Sequence, residues 1–219
     1  MNLDLDYIQK NKLGLDDTFE FECRQCGQCC HNRDDLILTA YDIFRIAKHL
    51  DVAPLGIIEK YCESYIGDES RIPVVRAKPK QHDGVCPFLR KGKCSIHAVK
   101  PVICAVFPLG RAYTSENEEL YFYQKVPCGD KNTHTVREWI REFGIPEEDS
   151  IGRMWSESII WLAQYMQKVK HFKKDTLNLV WNAIFHQLYL NYDIQRPFED
   201  QLKENFIKLK QLLSGGKGC

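Results

Sequence analysis

The chain has 219 residues, 44% of them hydrophobic and 27% charged, with 30 lysines and arginines against 30 aspartates and glutamates. A formal charge of zero excludes a protein built around a global field for nucleic acid or an anionic membrane. No stretch approaches the roughly 18 apolar residues of a membrane span. A chain of this length buries about 70% of its unfolded surface, so its ten cysteines are not needed merely to hold a small fold together.

The N-terminal MNLDLDYIQKNKLG lacks the basic-then-apolar order of a signal peptide, which predicts a cytoplasmic protein whose thiols stay reduced. Next comes FECRQCGQCC, four cysteines within eight residues. Ile43, Ile46, Ala47 and Leu50 of LTAYDIFRIAKHL follow helical spacing, with Thr39 and Asp42 as a capping box. APLGIIEKYCESYIG predicts a second helix from Pro54 to the residue before Gly67, with Ile58, Tyr61, Cys62 and Tyr65 on its apolar face. RIPVVRAK and LYFYQKV have strand composition. The segment 81–111, rich in Gly, Pro, Cys and Lys, predicts irregular chain held by something other than secondary structure.

All but one of the cysteines precede residue 130, and this shift in composition places a boundary near residue 134. Beyond it, three stripes predict helices: Trp155, Ile159, Leu162, Met166, Val169; then Leu177, Val180, Trp181, Ile184, Leu188; then Leu202, Phe206, Leu209, Leu213. Pro197 opens the last helix, Gly215 and Gly216 follow its end, and SGGKGC is a flexible tail. The stripes predict one helical core. The expected fold is mainly α with a few short strands: an irregular, metal-stapled, cysteine-rich part at 1–133, then a helical, bundle-like region at 134–219.

Cys23, Cys26, Cys29 and Cys30 are joined downstream by Cys86, Cys94, Cys104 and Cys128. Cys-x2-Cys spacing brings two thiolates onto one centre from a tight turn, and Gly27 frees the backbone for it. The adjacent Cys29 and Cys30 point opposite ways in extended chain, so the simplest arithmetic is two four-thiolate centres that divide the cluster. A [4Fe–4S] cluster with a zinc ion, two zinc ions, or one cluster with spare thiols all satisfy it. Each four-thiolate centre around a 2+ ion carries about −2, which the nearby Arg90, Lys91, Lys93, His97 and Lys100 would offset. A disulfide between neighbouring cysteines is strained and suits the wrong compartment.

Other residues have plainer readings. Cys62 is a packed core thiol, and Cys219 a free terminal one. His31 is an outer-sphere or solvated neighbour of the cluster. His97 is an alternative nitrogen ligand in a Cys3His site. His186 is a half-buried histidine, and Asp42 is a helix cap rather than a catalyst.

FECRQCGQCC, LTAYD, GVCPFL, KCSIH, KPVICAVFP and Cys128-Gly129 together resemble the CxxCxxCC, or YkgJ-type, family of zinc- or iron-chelating cysteine-cluster proteins, over residues 19 to 130. The family includes a flagellin lysine N-methylase. The resemblance implies that Cys23, Cys26, Cys29, Cys30, Cys86, Cys94, Cys104 and Cys128 bind an iron–sulfur cluster or zinc. This chain departs from the pattern at His97, where Tyr is more common, and at Lys100 and Ala105, where Arg is usual.

Three functions remain open at this level. One is a protein-modifying enzyme that transfers a methyl group from S-adenosylmethionine to lysine. No G-x-G-x-x-G follows a strand, and the C-x3-C-x2-C spacing fails because Arg33 stands in its third position. The second is a non-catalytic metal protein whose helical region meets a protein substrate or partner. The third is a redox or iron-responsive protein. Neither nucleic acid nor membrane is an expected partner.

Overall fold

The computed structural model describes residues 5–31, 36–80, 84–114, 118–126 and 128–215. These hold eight α-helices and ten short strands, so the fold is mixed, with helix in excess.

The chain starts with α1 (Leu5–Lys10), β1 (Lys12–Leu13) and β2 (Thr18–Glu22), then a 3-10 turn at Gln28–Cys30 and β3 (Ile37–Leu38). Helix α2 (Ala40–Leu50) has the predicted capping box, with the Asp42 N–H donating to Thr39 Oγ1 and the Thr39 N–H to the Asp42 carboxylate. Its buried stripe is Ile43, Ile46 and Ala47, but Leu50 at the last turn is 38% exposed.

Helix α3 (Pro54–Tyr61) opens on proline as predicted and stops five residues early. Cys62–Ile66 is strand β4, paired antiparallel with β5 (Pro73–Ala77) from Cys62↔Ala77 to Ile66↔Pro73. Two β-favouring residues, Tyr65 and Ile66, and a ready partner strand outweigh the helical spacing. Cys62 is still buried, now on a strand, whereas Tyr65 is 41% exposed. Strand β3 completes the sheet in the order β3-β5-β4.

The segment 81–111 has more regular structure than its composition predicts. It holds the hairpin β6 (Leu89–Arg90) and β7 (Lys93–Cys94), a 3-10 turn at His97–Val99, α4 (Val102–Val106), and the start of β8 (Leu109–Tyr113). Strand β9 (Glu119–Tyr123) lies between β1 and β8. Strand β10 (Asp130–Thr135) pairs with β2 and leads through a second capping box, Thr135 with Glu138, into α5 (Val136–Glu142).

The three predicted C-terminal helices are α6 (Ser150–Val169), α7 (Lys174–Phe185) and α8 (Phe198–Gly215). A π-helical turn, His186–Leu190, extends α7, and His186 is exposed there rather than half-buried. Gly215 is the last residue of α8 rather than its stop. Gly216 and Cys219 lie outside the described residues.

Two larger buried clusters organise most of these elements, with a small third one of Ile8, Leu120 and Phe122 joining α1 to β9. The larger joins Leu38, Ile43, Ile46, Val75 and Phe88 to Leu162, Ile184, Leu202 and Leu209. The second joins Phe19 and Phe21 of β2 to Val106, Leu109, Val136, Trp139 and Ile140. Both draw on residues from either side of position 134, which lies inside β10. The change in cysteine content marks the end of the thiols, while apolar burial continues across it.

Candidate metal centre

A single cavity is lined by Cys23, Cys26, Cys29, Cys30, Cys86, Cys94, Cys104 and Cys128. It encloses about 960 Å3 of empty space, part of it open to solvent. Its two walls belong to different cores. Cys30, Cys86, Cys94 and Cys104 pack against the larger cluster, whereas Cys23 and Cys128 pack against the second.

Local geometry brings the thiols here. Gly27 has φ +74°, and a Cβ there would meet Leu89 Cδ1 at 3.0 Å and the Gly92 carbonyl at 3.1 Å. Glycine therefore serves both the left-handed backbone and the close approach of the cluster to the β6–β7 hairpin. The Cys30 N–H closes the turn onto the Gly27 carbonyl at 2.9 Å, and the Cys86 N–H donates to the Cys30 carbonyl at 2.8 Å. Gly129, φ +96°, lets β10 pass the Phe21 ring, where a Cβ would come within 2.3 Å of Cε2. Cys104 lies on α4, whose first amide, Val102 N–H, donates to Asp42 Oδ1 at 2.8 Å.

The thiols perturb one another. The Cys30 thiol is held far above its usual value, first by hydrogen bonds with the Cys29 and Cys86 sulfurs and then by burial. Burial is the main cause that raises Cys94 and Cys128, reinforced by neighbouring cysteines. Three basic side chains also line the cavity, Arg24, Lys100 and His97, and Arg24 pairs with Asp130 at 3.4 Å. Lys100 is 7% exposed, its ammonium 3.7 Å from the centroid of the Phe143 ring. Burial pulls its pKa down, and the sulfurs of Cys23, Cys104, Cys29 and Cys94 pull against that. Among the described residues no carboxylate pairs with it. Burial and the Lys100 charge also lower His97, whose Nε2 is buried with no hydrogen-bond partner.

The cysteines that line the cavity were legible from sequence, but their surroundings less so. Arg90, Lys91 and Lys93 are exposed and do not line the cavity. His31 is exposed outside it. Cys62 is sealed in the larger core, its thiol pushed up to about 12 by burial. Sequence reasoning missed Phe21, Ile103 and Phe107 as lining residues, because no spacing rule links them to the cysteines. Among the described residues, no group of three or more His, Cys, Asp or Glu side chains stands ready to hold an ion as placed. The thiols face a common cavity rather than a common point. The donors nevertheless suit a soft or borderline metal, and a buried ammonium without a carboxylate suits the negative charge that thiolates would bring.

Comparison with known families agrees with that chemistry: residues 22–129 match the CxxCxxCC model, described as a "Putative zinc- or iron-chelating domain". Residues 22–129 thus resemble the CxxCxxCC domain family. The matched segment begins at Glu22 in β2 and ends at Gly129, and so contains every thiol that lines the cavity. An uncharacterized protein of Methanocaldococcus jannaschii is 30% identical over 90 residues, which is 40% of this chain and 44% of that relative. The chain thus spans less than half the length of this relative. No solved structure matches the chain. Among the described residues, no helix is long and apolar enough to cross a membrane.

Proposed function

We propose that residues 22–129 hold thiolate-ligated metal, as zinc ions or as a [4Fe–4S] cluster with zinc, in the cavity lined by the eight cysteines. The bound metal joins the two cores. One observation carries this reading: cysteines distant in sequence meet in one cavity, with Cys86 and Cys30 anchored on one core and Cys23 and Cys128 on the other. Ligands on both walls turn metal affinity into folding free energy, because the bound ion exists only when the walls are together. The division of donors that fits best places Cys30, Cys86 and Cys94 with one centre and Cys23, Cys26 and Cys128 with the other, with Cys29 beside both groups and Cys104 as the remaining thiol.

This is a structural metal protein first. The resemblance to a family that includes a flagellin lysine N-methylase adds the further reading that the open side of the cavity, where Cys26, Cys29 and Ile103 are exposed, receives S-adenosylmethionine and a protein lysine. The deciding experiment is anaerobic purification followed by elemental analysis. Stoichiometric zinc in a colourless protein supports the zinc form, and brown protein with iron and sulfide supports the cluster. Fully folded protein devoid of both metals would sink the proposal. Titration of S-adenosylmethionine into loaded protein, followed by calorimetry, separates enzyme from staple: the absence of heat removes the methylase reading and leaves the metal.

A further inference from the structure

We infer that His97 is a ninth donor to the cavity, making one of its centres a mixed sulfur–nitrogen site. This rests on the metal reading above and adds a ligand to it. The first observation is an unsatisfied atom. His97 Nε2 is buried, belongs to a ring that lines the thiol cavity, and has no hydrogen-bond partner. Buried polar atoms are nearly always paired, and an orphan points to a missing water or ion. The cavity lining is sulfur, the Lys100 ammonium, Arg24, Gln25 and apolar side chains, and the Glu142 charge also acts on the ring. Lys100 makes no hydrogen bond to it.

The second observation is the turn that carries the ring. Cys94 and His97 are separated by Ser95 and Ile96, the two-residue gap that lets a pair of ligands meet on one ion. The turn is tied down. The Ser95 N–H and Oγ both reach the Phe88 carbonyl, at 2.9 and 2.8 Å. The Val99 N–H donates to the Ile96 carbonyl at 2.9 Å. The Ile96 N–H donates to the Cys94 sulfur, which favours its thiolate form. A backbone amide on the sulfur and a free ring nitrogen three residues on form a two-pronged ligand already held in shape. The ring is steadied from outside by Phe143, edge-on at 6.5 Å between centroids.

The test uses the full chain, labelled with 15N-histidine, reduced, and loaded with 113Cd2+. Cadmium bound by three sulfurs and a nitrogen resonates upfield of cadmium bound by four sulfurs, and it shares a scalar coupling with the ligating 15N. The expected result is one such upfield resonance coupled to a histidine nitrogen. His97→Ala should abolish it and weaken that equivalent by more than the roughly 10–100-fold typical of a lost outer-sphere partner. His97→Cys should restore affinity with an all-sulfur shift. Cadmium seen only at all-sulfur positions, uncoupled to nitrogen, overturns the inference and leaves the thiolate centre standing. Failure to bind cadmium at all overturns both. The coupling is read in the unsubstituted protein, so a variant that fails to fold does not remove the test.

Discussion

Asp42 Oδ1 accepts the Val102 N–H at 2.8 Å across 60 residues of sequence. The same carboxylate accepts the Thr39 N–H at 2.9 Å and Thr39 Oγ1–H at 2.8 Å. One buried side chain thus caps α2 and the first turn of α4, which carries Cys104. Asp42→Ala should cost about 3 kcal/mol, as the sum of a lost cap and an unsatisfied amide. Thr39→Ala should cost about 1 kcal/mol. Urea unfolding of the metal-free protein measures both, and equal small losses would mean that the Val102 bond contributes nothing.

Cysteines on opposite walls should share responsibility for the metal. Cys86→Ser, Cys128→Ser, Cys26→Ser and Cys104→Ser should each lower metal content and leave it more easily stripped by chelator. Cys62→Ser should leave metal content unchanged, because that thiol is sealed in the core away from the cavity, and Cys219→Ser should do the same. Elemental analysis of the six variants decides. Equal loading in all would contradict the assignment.

Lys100 should act in opposite directions with and without metal. An unpaired buried ammonium destabilises the empty protein, so Lys100→Met should leave its stability unchanged or raise it. The same change removes the cation facing the thiolates, and metal affinity should fall by about 10–100-fold. Competition with a chromophoric chelator gives the affinity, and thermal unfolding without metal gives the stability.

Acid should release the metal. Burial and neighbouring thiols hold Cys30, Cys94 and Cys128 above the ordinary thiol value. These groups are therefore protonated at neutral pH in the empty protein and must lose protons to bind. Apparent affinity should rise with pH, about tenfold per unit for each proton displaced. The stability that these raised pKa values confer on the empty fold runs the other way: it is full below the unfolded thiol pKa and lost as pH rises through the folded one. Chelator competition at pH 6, 7 and 8 checks the first trend, and pH-independent affinity would refute it.

A separate charge cluster serves as a control. Arg111 pairs with Asp149 at 2.6 Å and with Glu119, and both of its ion-pair partners are nearly buried. Asp149 also caps α6 through the Gly152 N–H at 2.9 Å. Arg111→Met leaves two carboxylates without their cation and should cost about 3–5 kcal/mol. Metal stoichiometry should not change.

The amino-acid sequence by itself singled out the eight cysteines that line the cavity. Thiols are rare, and the run from Cys23 to Cys30 with later partners leaves little else for them to do in a chain that already has a core. It also determined α2 with its capping box and the long stripes of α6, α7 and α8, because local spacing and local hydrogen bonds suffice for those. It could not determine that Cys62–Ile66 pairs as a strand, since pairing depends on a partner chosen by the fold. Nor could it show that β10 carries the chain back to β2, so that Trp139 fills the core beneath Phe21. Only the tertiary structure decided that eight thiols share one cavity between two cores, and that Lys100 and His97 enter it while Arg90, Lys91 and Lys93 remain in solvent. The reason is physical: spacing along a chain fixes what neighbours can reach, whereas burial of a distant side chain is set by apolar surfaces that meet only after folding.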